Sequence, residues 1–312
     1  VSEEKVAYVF PGQGSQAVGM GADLYARYAS ARKVFDEADR TLGFSLSRLC
    51  FEGPEAELTQ TINVQPAVLT VSIACLKAAQ EVAGTELSLP ACVAGHSLGE
   101  YTALIAAGVL TLADGVRLVR ERGRLMHEAG RMRPGGMMAV LGLDEMSIED
   151  ICKSAGTEIS NINSPGQIVI SGAGENLEEA KRLAEGRGAR RVIPLKVSAA
   201  FHSRLMEPAL DGLKQAIANT DCREPSVPVV ANATGKMLTA VAAIQEELVE
   251  QLLSCVQWQR CVENMTASGV TTFYEIGPGQ VLTGLIKRIS PAARTVNIGD
   301  ARSVSQMNSQ AS

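Results

Sequence analysis

The pentapeptide Gly95-His96-Ser97-Leu98-Gly99 constrains this chain more than any other stretch, because of what flanks it. Residues 90–94 form a short apolar run that reads as a buried strand, and residues 97–107 carry helical periodicity ended by Gly108. Gly-x-Ser-x-Gly in that setting requires a sharp turn from strand into helix. The glycines leave room for neighbouring backbone, and the Ser97 hydroxyl is exposed at the C-terminal edge of the sheet. The amides opening the helix then face any negative charge that develops beside the serine. The bare motif is common, and a structural serine in a tight turn is the alternative. The strand-to-helix setting favours a nucleophile.

An α/β pattern surrounds this turn. Residues 5–10 read as a buried strand followed by a Pro-Gly-Gln-Gly turn, and residues 24–42 and 63–82 as helices, the second apolar on most faces. A helix is expected over 112–129, opened by Thr111 as N-cap and closed by Gly130. Turn chemistry at Arg133-Pro134-Gly135-Gly136 marks a boundary. Beyond it come strand 137–143, helix 147–154, strands 158–162 and 167–171, helix 176–186 and strand 189–195. That β-α-β-β-α-β order in about 60 residues is the ferredoxin-like arrangement, read here as an inserted small subdomain. The α/β character then resumes with strand 227–231, helix 240–254, strand 271–276 and helix 281–289. The expected division is therefore a large subdomain over 1–133 and 198–300, an insert over 134–197, and a frayed polar tail over 301–312.

A length of 312 residues suggests about two domains. An apolar fraction of 46% with 20% charged residues is globular, which excludes chain-wide disorder, collagen-like repeats and coiled coil. The net charge of −5 argues against a dedicated nucleic-acid binder. The longest apolar stretch, around 103–113, falls short of the roughly 20 residues that span a bilayer, and no signal peptide is expected. Seven scattered cysteines without a CxxC, and only three histidines, predict reduced thiols in a cytoplasmic protein and no metal site.

A serine nucleophile needs a base. His96 adjoins Ser97, and neighbouring side chains diverge at such a turn. His127, between Met126 and Glu128 late in a helix, reads as a partly exposed helix-end residue. His202 follows the last strand of the insert, at the seam between subdomains, and elimination favours it over the alternative of a packed loop residue. On the 112–129 helix, Leu118, Val119, Leu125 and Met126 form one stripe with Arg122 in its middle, while Arg117, Arg120 and Arg124 fall on the opposite, solvated face. A cation on an apolar face needs a partner. Either Arg122 pairs with a buried carboxylate, or it waits at the floor of a pocket for an acid-bearing acyl group. The loop 10–16 lacks the GK[ST] ending of a nucleotide-binding loop, and its position lets the Gln13 amide serve as a second oxyanion donor. Gly172-Ala173-Gly174 lacks the third glycine of a dinucleotide site.

FPGQGSQ at 10–16, GHSLGEY at 95–101, RG at 122–123, NSPGQ at 163–167, FHS at 201–203, VQW at 256–258 and EIGPG at 275–279 together resemble the malonyl-CoA:acyl carrier protein transacylases. The ordered set covers nearly the whole chain except its last dozen residues. The resemblance implies an α/β-hydrolase-like large subdomain with a parallel sheet plus the ferredoxin-like insert. It implies a Ser97–His202 dyad, with the backbone carbonyl of Gln257 orienting the ring. It further implies Arg122 on the malonyl carboxylate, the Gln13 and Leu98 amides as oxyanion hole, Gln65 in the pocket, and Asn161 and Asn163 at its entrance. Phe201 beside the base, with Leu98 after the nucleophile, implies a preference for malonyl over methylmalonyl groups, since one methyl in a pocket is worth about 1–3 kcal/mol.

The implied reaction is ping-pong transfer of malonyl from malonyl-CoA to the phosphopantetheine thiol of an acyl carrier protein, through a malonyl-Ser97 ester, by a monomer that needs no cofactor. Arg190, Arg191 and Lys196 near the insert, with Lys287, Arg288 and Arg294, are candidates to meet an acidic carrier protein or CoA phosphates. A serine hydrolase on the same elbow, a silent scaffold, or transfer of another acid-bearing group are the competing readings. Arg122 argues against the first, and the presence of Ser97, His202 and Arg122 together against the second.

Overall fold

A computed structural model describes residues 4–84 and 87–309. Its described strands form two sheets. In chain order they are β1 (Lys5–Phe10), β2 (Cys92–Gly95), β3 (Gly136–Leu141), β4 (Glu158–Ser164), β5 (Gln167–Gly172), β6 (Arg191–Pro194), β7 (Val229–Val230), β8 (Met237–Leu238), β9 (Val270–Ile276) and β10 (Arg294–Ile298). The larger sheet runs β10-β9-β1-β2-β7-β8 and is parallel except for β8 at its edge. Alternation along β1 explains why it is apolar throughout. Val6, Tyr8 and Phe10 pack on one face with Leu98 and the Thr61–Ala83 helix; Ala7 and Val9 pack on the other with Trp258, Phe273 and Ile286. A parallel sheet covered on both faces needs such a continuous apolar run.

The smaller sheet is antiparallel with order β4-β5-β3-β6. That is the order of a ferredoxin-like β-α-β-β-α-β unit, and it is built wholly from residues within 136–194. Met138, Val140, Ile168 and Ile170 face the helices Glu145–Ala155 and Gly174–Gly186. The alternate residues Met137, Ala139 and Val169 turn the other way and join the core of the large unit. Main-chain bonds tie the units as well, from the Ile162 amide to the Val256 carbonyl and from the Val256 amide to the Ser160 carbonyl, both 2.9 Å.

Several elements differ from expectation for identifiable reasons. The helix expected over 24–42 breaks at Tyr28, whose backbone is extended, into Ala22–Arg27 and Ala29–Leu42; its hydroxyl donates to the Ala301 carbonyl at 3.2 Å. The helix expected to stop at Gly130 runs on as Leu112–Met132. Gly130 is there for space, since a Cβ would sit 2.5 Å from that of Ala199. The tail is not frayed over its described part. Asp300 and Ser303 form a capping box on Ala301–Ser305, and Val304 is fully buried; residues 310–312 lie outside the described residues.

The longest apolar element is the Thr61–Ala83 helix, not 103–113. Its 23 residues are long and apolar enough to cross a membrane, yet 89% of its apolar window is buried inside the protein, as befits a core helix. Pro66 lies within it and has no N–H to give the Ile62 carbonyl. Arg120 donates to that carbonyl at 2.8 Å, which is why this arginine is half-buried rather than on a solvated face. The sequence pattern predicts neither the helix Trp258–Ala267 nor strand β10, and the strand expected over 227–231 shrinks to the two residues of β7.

Candidate active site

β2 ends at Gly95, and the Leu98–Ala106 helix starts three residues later. So tight a turn leaves no space for side chains at its glycines. A Cβ on Gly95 would lie 1.9 Å from the Gly99 carbonyl carbon, and one on Gly99 2.1 Å from the Phe10 carbonyl oxygen. Ser97 carries the strain with φ of 51°; the other described non-glycine residue at positive φ is His202, at 55°. Strained backbone of this kind persists where the surroundings over-determine it, which is characteristic of functional sites.

The structure brings those two residues together. Ser97 Oγ lies 2.8 Å from His202 Nε2. His202 Nδ1 lies 2.8 Å from the Gln251 carbonyl. A carbonyl only accepts, so Nδ1 carries the proton, and in the neutral ring Nε2 is left to accept from the serine hydroxyl. The ring stays neutral: burial, with His202 only 3% exposed, and the nearby Arg122 cation push its pKa down to about 3.

The oriented carbonyl corrects one expectation. It belongs to Gln251, not Gln257, whose carbonyl instead accepts from the Cys261 amide at 2.9 Å at the start of the Trp258–Ala267 helix. Gln251 follows the Val241–Glu250 helix, and the last carbonyls of a helix lack partners within it. The helix expected over 240–254 ends at Glu250 instead, which frees that carbonyl.

Arg122 is 1% exposed and touches no carboxylate among the described residues. Nη1 donates to Gln65 Oε1 at 2.8 Å, and Nη2 to Gln251 Oε1 at 2.9 Å and Ser97 Oγ at 3.3 Å. The Tyr101 ring covers the guanidinium with its centroid 5.2 Å away, and Nε has no hydrogen-bond partner among the described residues. A buried cation held by neutral amides, with no carboxylate partner among the described residues, can take one from a ligand. The structural ion pair considered for this residue is absent.

A cavity of about 190 Å³ opens over the serine. Gln13 and Leu98 enter its wall beside Ser97, and Arg122 and Phe201 line it with His202. Met137 and Val169 on the outward face of the small sheet form its roof, while Val281, Leu282 and Leu285 form a side wall. Leu98 is the first helical residue, so its amide has no acceptor within the helix. Asn161 and Asn163 also line the cavity; Asn163 Oδ1 is 2.8 Å from His96 Nε2.

The chain matches the model of the acyl transferase domain over residues 7–311. It belongs to that family. It is 46% identical over 305 residues to the malonyl CoA-acyl carrier protein transacylase of Bacillus subtilis, covering 96% of this chain and 95% of the relative. An acyl carrier protein S-malonyltransferase crystal structure from Vibrio cholerae superposes with a TM-score of 0.92 at 43% identity, covering 96% of this chain and 99% of that one. A malonyl-transacylase solved in complex with a type II polyketide acyl-carrier protein gives 0.94 at 41% identity over 98% and 100%.

Within this acyl transferase the basic candidates separate. Arg288 Nη1 donates to Gln167 Oε1 at 2.5 Å, and Gln167 lines the cavity, so Arg288 stands at its rim. Lys196, exposed between the lining residues Leu195 and Val197, stands there too. Exposed Arg191 pairs with Leu141, which also pairs with Gln167, two strands or about 10 Å across the sheet; Arg190 precedes it. Lys287 is exposed beside Arg288. Arg294 does not belong to this group. It starts β10 level with Val6, at the far end of the sheet from Gly95, and lies 3.7 Å from Glu4.

Proposed function

We propose that this acyltransferase moves a malonyl group from malonyl-CoA to the phosphopantetheine thiol of an acyl carrier protein, supplying an extender unit for fatty-acid or polyketide synthesis. The observation that carries the reading is one oxygen, Ser97 Oγ, within hydrogen-bond reach of both a neutral His202 and a carboxylate-free, buried Arg122. A plain esterase has no use for the second.

The geometry supports the following order of events. The malonyl carboxylate docks on Arg122, which brings the thioester carbonyl over Ser97. His202 Nε2 takes the hydroxyl proton as Oγ attacks. The tetrahedral oxyanion sits against the Gln13 and Leu98 amides, each such donor being worth about 10²–10³ in rate. The C–S bond breaks, and CoA leaves with the proton that His202 gives up. A carrier-protein thiol then enters, gives its proton to His202, attacks the ester and releases Ser97 as the alcohol. The chemistry is complete with protein groups alone and calls for no metal or redox cofactor. Phe201 and Leu98 narrow the cavity beside the acyl group, against an α-methyl branch. Arg190, Arg191, Lys196, Lys287 and Arg288 suit an acidic carrier or CoA phosphates. The acting form is a cytoplasmic monomer.

Intact mass after brief mixing with malonyl-CoA tests the reading. A malonyl adduct on the wild type, absent from Ser97→Ala and discharged by holo-carrier protein, is expected. Steady CoA release into water without an adduct would point to a thioesterase instead.

A further inference from the structure

Gln251 touches every member of the constellation. Besides its carbonyl on His202, its side-chain Oε1 accepts from Arg122, and its Nε2 donates to the Ser97 carbonyl at 3.0 Å and to Glu100 Oε2 at 2.5 Å. Arginine can only donate, so Oε1 must face it, and Nε2 must face Ser97 and Glu100. Asn232 grips the same turn from the other side. Its Oδ1 accepts from the Ser97 amide at 2.6 Å, and its Nδ2 donates to the Gly95 carbonyl at 2.7 Å.

Glu100 stands behind both. Its second oxygen takes the Asn232 amide at 3.4 Å, yet it contacts neither Ser97 Oγ nor the cavity. It is 1% exposed and pairs directly with no cation among the described residues. Burial and the neighbouring Glu247 carboxyl, from the Val241–Glu250 helix, hold its pKa well above the carboxylate range; Arg122 works the other way, and Tyr101 and Cys261 sit close by. A carboxyl so placed is costly, and a methionine would fill the space more cheaply. A carboxyl in that place calls for a reason.

We propose that Glu100 is a positioning residue, whose task is to accept the Gln251 Nε2–H bond and so fix which way that amide points. A reversed amide would set donor against donor at Arg122 and acceptor against acceptor at the Ser97 carbonyl. Without the acceptor, the nucleophile's peptide and the carboxylate-binding arginine lose their common anchor together. The inference rests on the transacylase reading above.

The test is the rate of Ser97 malonylation by intact mass, against malonyl-CoA concentration, for wild type, Glu100→Met, Glu100→Gln, Gln251→Ala and the Glu100→Met/Gln251→Ala pair. Glu100→Met should slow acylation about 10²-fold, the scale of a misplacement near 1 Å. It should also raise the half-saturating concentration more for malonyl-CoA than for acetyl-CoA. Glu100→Gln keeps an acceptor oxygen and should restore most of the rate. Glu100→Met should add nothing in the Gln251→Ala background. Effects that multiply in the double variant, or a folded Glu100→Met of wild-type rate, would overturn the proposal. If Glu100→Met does not melt cooperatively, Gln251→Ala alone decides, because wild-type acylation there would leave Glu100 nothing to act through. An absent adduct on the wild type would defeat the transacylase reading instead.

Discussion

Arg122 illustrates how far a single residue can be read. Its place in the middle of an apolar stripe was visible from 100° spacing, and burial without a carboxylate partner followed in the structure. Arg122→Ala should lower kcat/KM for malonyl-CoA by about 10²-fold or more, the scale of losing one partner of a buried charge pair. It should leave acetyl-CoA, which has no carboxylate to dock, much less affected, so the ratio of the two constants is the measurement. His202 makes a pH prediction. With its folded pKa near 3, the ring remains a base as pH falls through 6, so the acid limb of acylation should lie well below the usual histidine value. The unfolded chain protonates this ring below about 6.5 while the folded one does not, so His202 removes stability as pH falls from there toward 3. An acylation limb near 6.5 in a pH series of adduct formation would contradict the neutral-ring geometry. Gln251 was not legible. Its decisive atom is a main-chain oxygen, which every residue possesses, and the motif at 256–258 drew attention six residues too late.

Among the elements, those with strong periodicity or unmistakable punctuation were readable. The helix Val281–Ile289 matches its expected limits, and Thr111 caps the Leu112–Met132 helix through the Asp114 amide at 3.1 Å. Elements were misjudged where tertiary contacts overrode local signals, as at Gly130 against Ala199 and Tyr28 against Ala301. The Val281–Ile289 helix has a buried cap that links fold to site. Glu275, at the end of β9, accepts from the Leu282 amide at 2.9 Å and the Thr283 amide at 2.7 Å, with Asn297 Nδ2 donating to it at 3.0 Å. That carboxylate holds the first turn of the helix whose Val281, Leu282 and Leu285 wall the cavity. Glu275→Ala, which strands those buried donors, should cost about 1–3 kcal/mol, read as a lowered midpoint in denaturant melts. It should also weaken substrate binding more than turnover.

At the scale of the molecule, the second, antiparallel sheet was apparent from the β-α-β-β-α-β order, and its 2-3-1-4 sequence of strands has the connectivity that order implies. The join through Val256 was not apparent, because a lone pair of main-chain bonds leaves no residue-type signature. Global stability carries a second pH term. Glu247, raised to about 7 chiefly by burial, stays protonated in the folded chain while the unfolded chain ionises it above about 4.5. This group therefore removes stability as pH rises from about 4.5 to 7. Glu247→Gln should gain in melting temperature relative to wild type across that window, and a constant difference would refute the assignment.

The His202 orienter has a further consequence for the lineage of such a chain. Because it is a main-chain oxygen, no point substitution can delete it; only a change in the path of the backbone after residue 250 can. The orientation of the His202 ring is thus buffered against mutational drift in its support, whereas a side-chain carboxylate in that place could be lost by a single codon change.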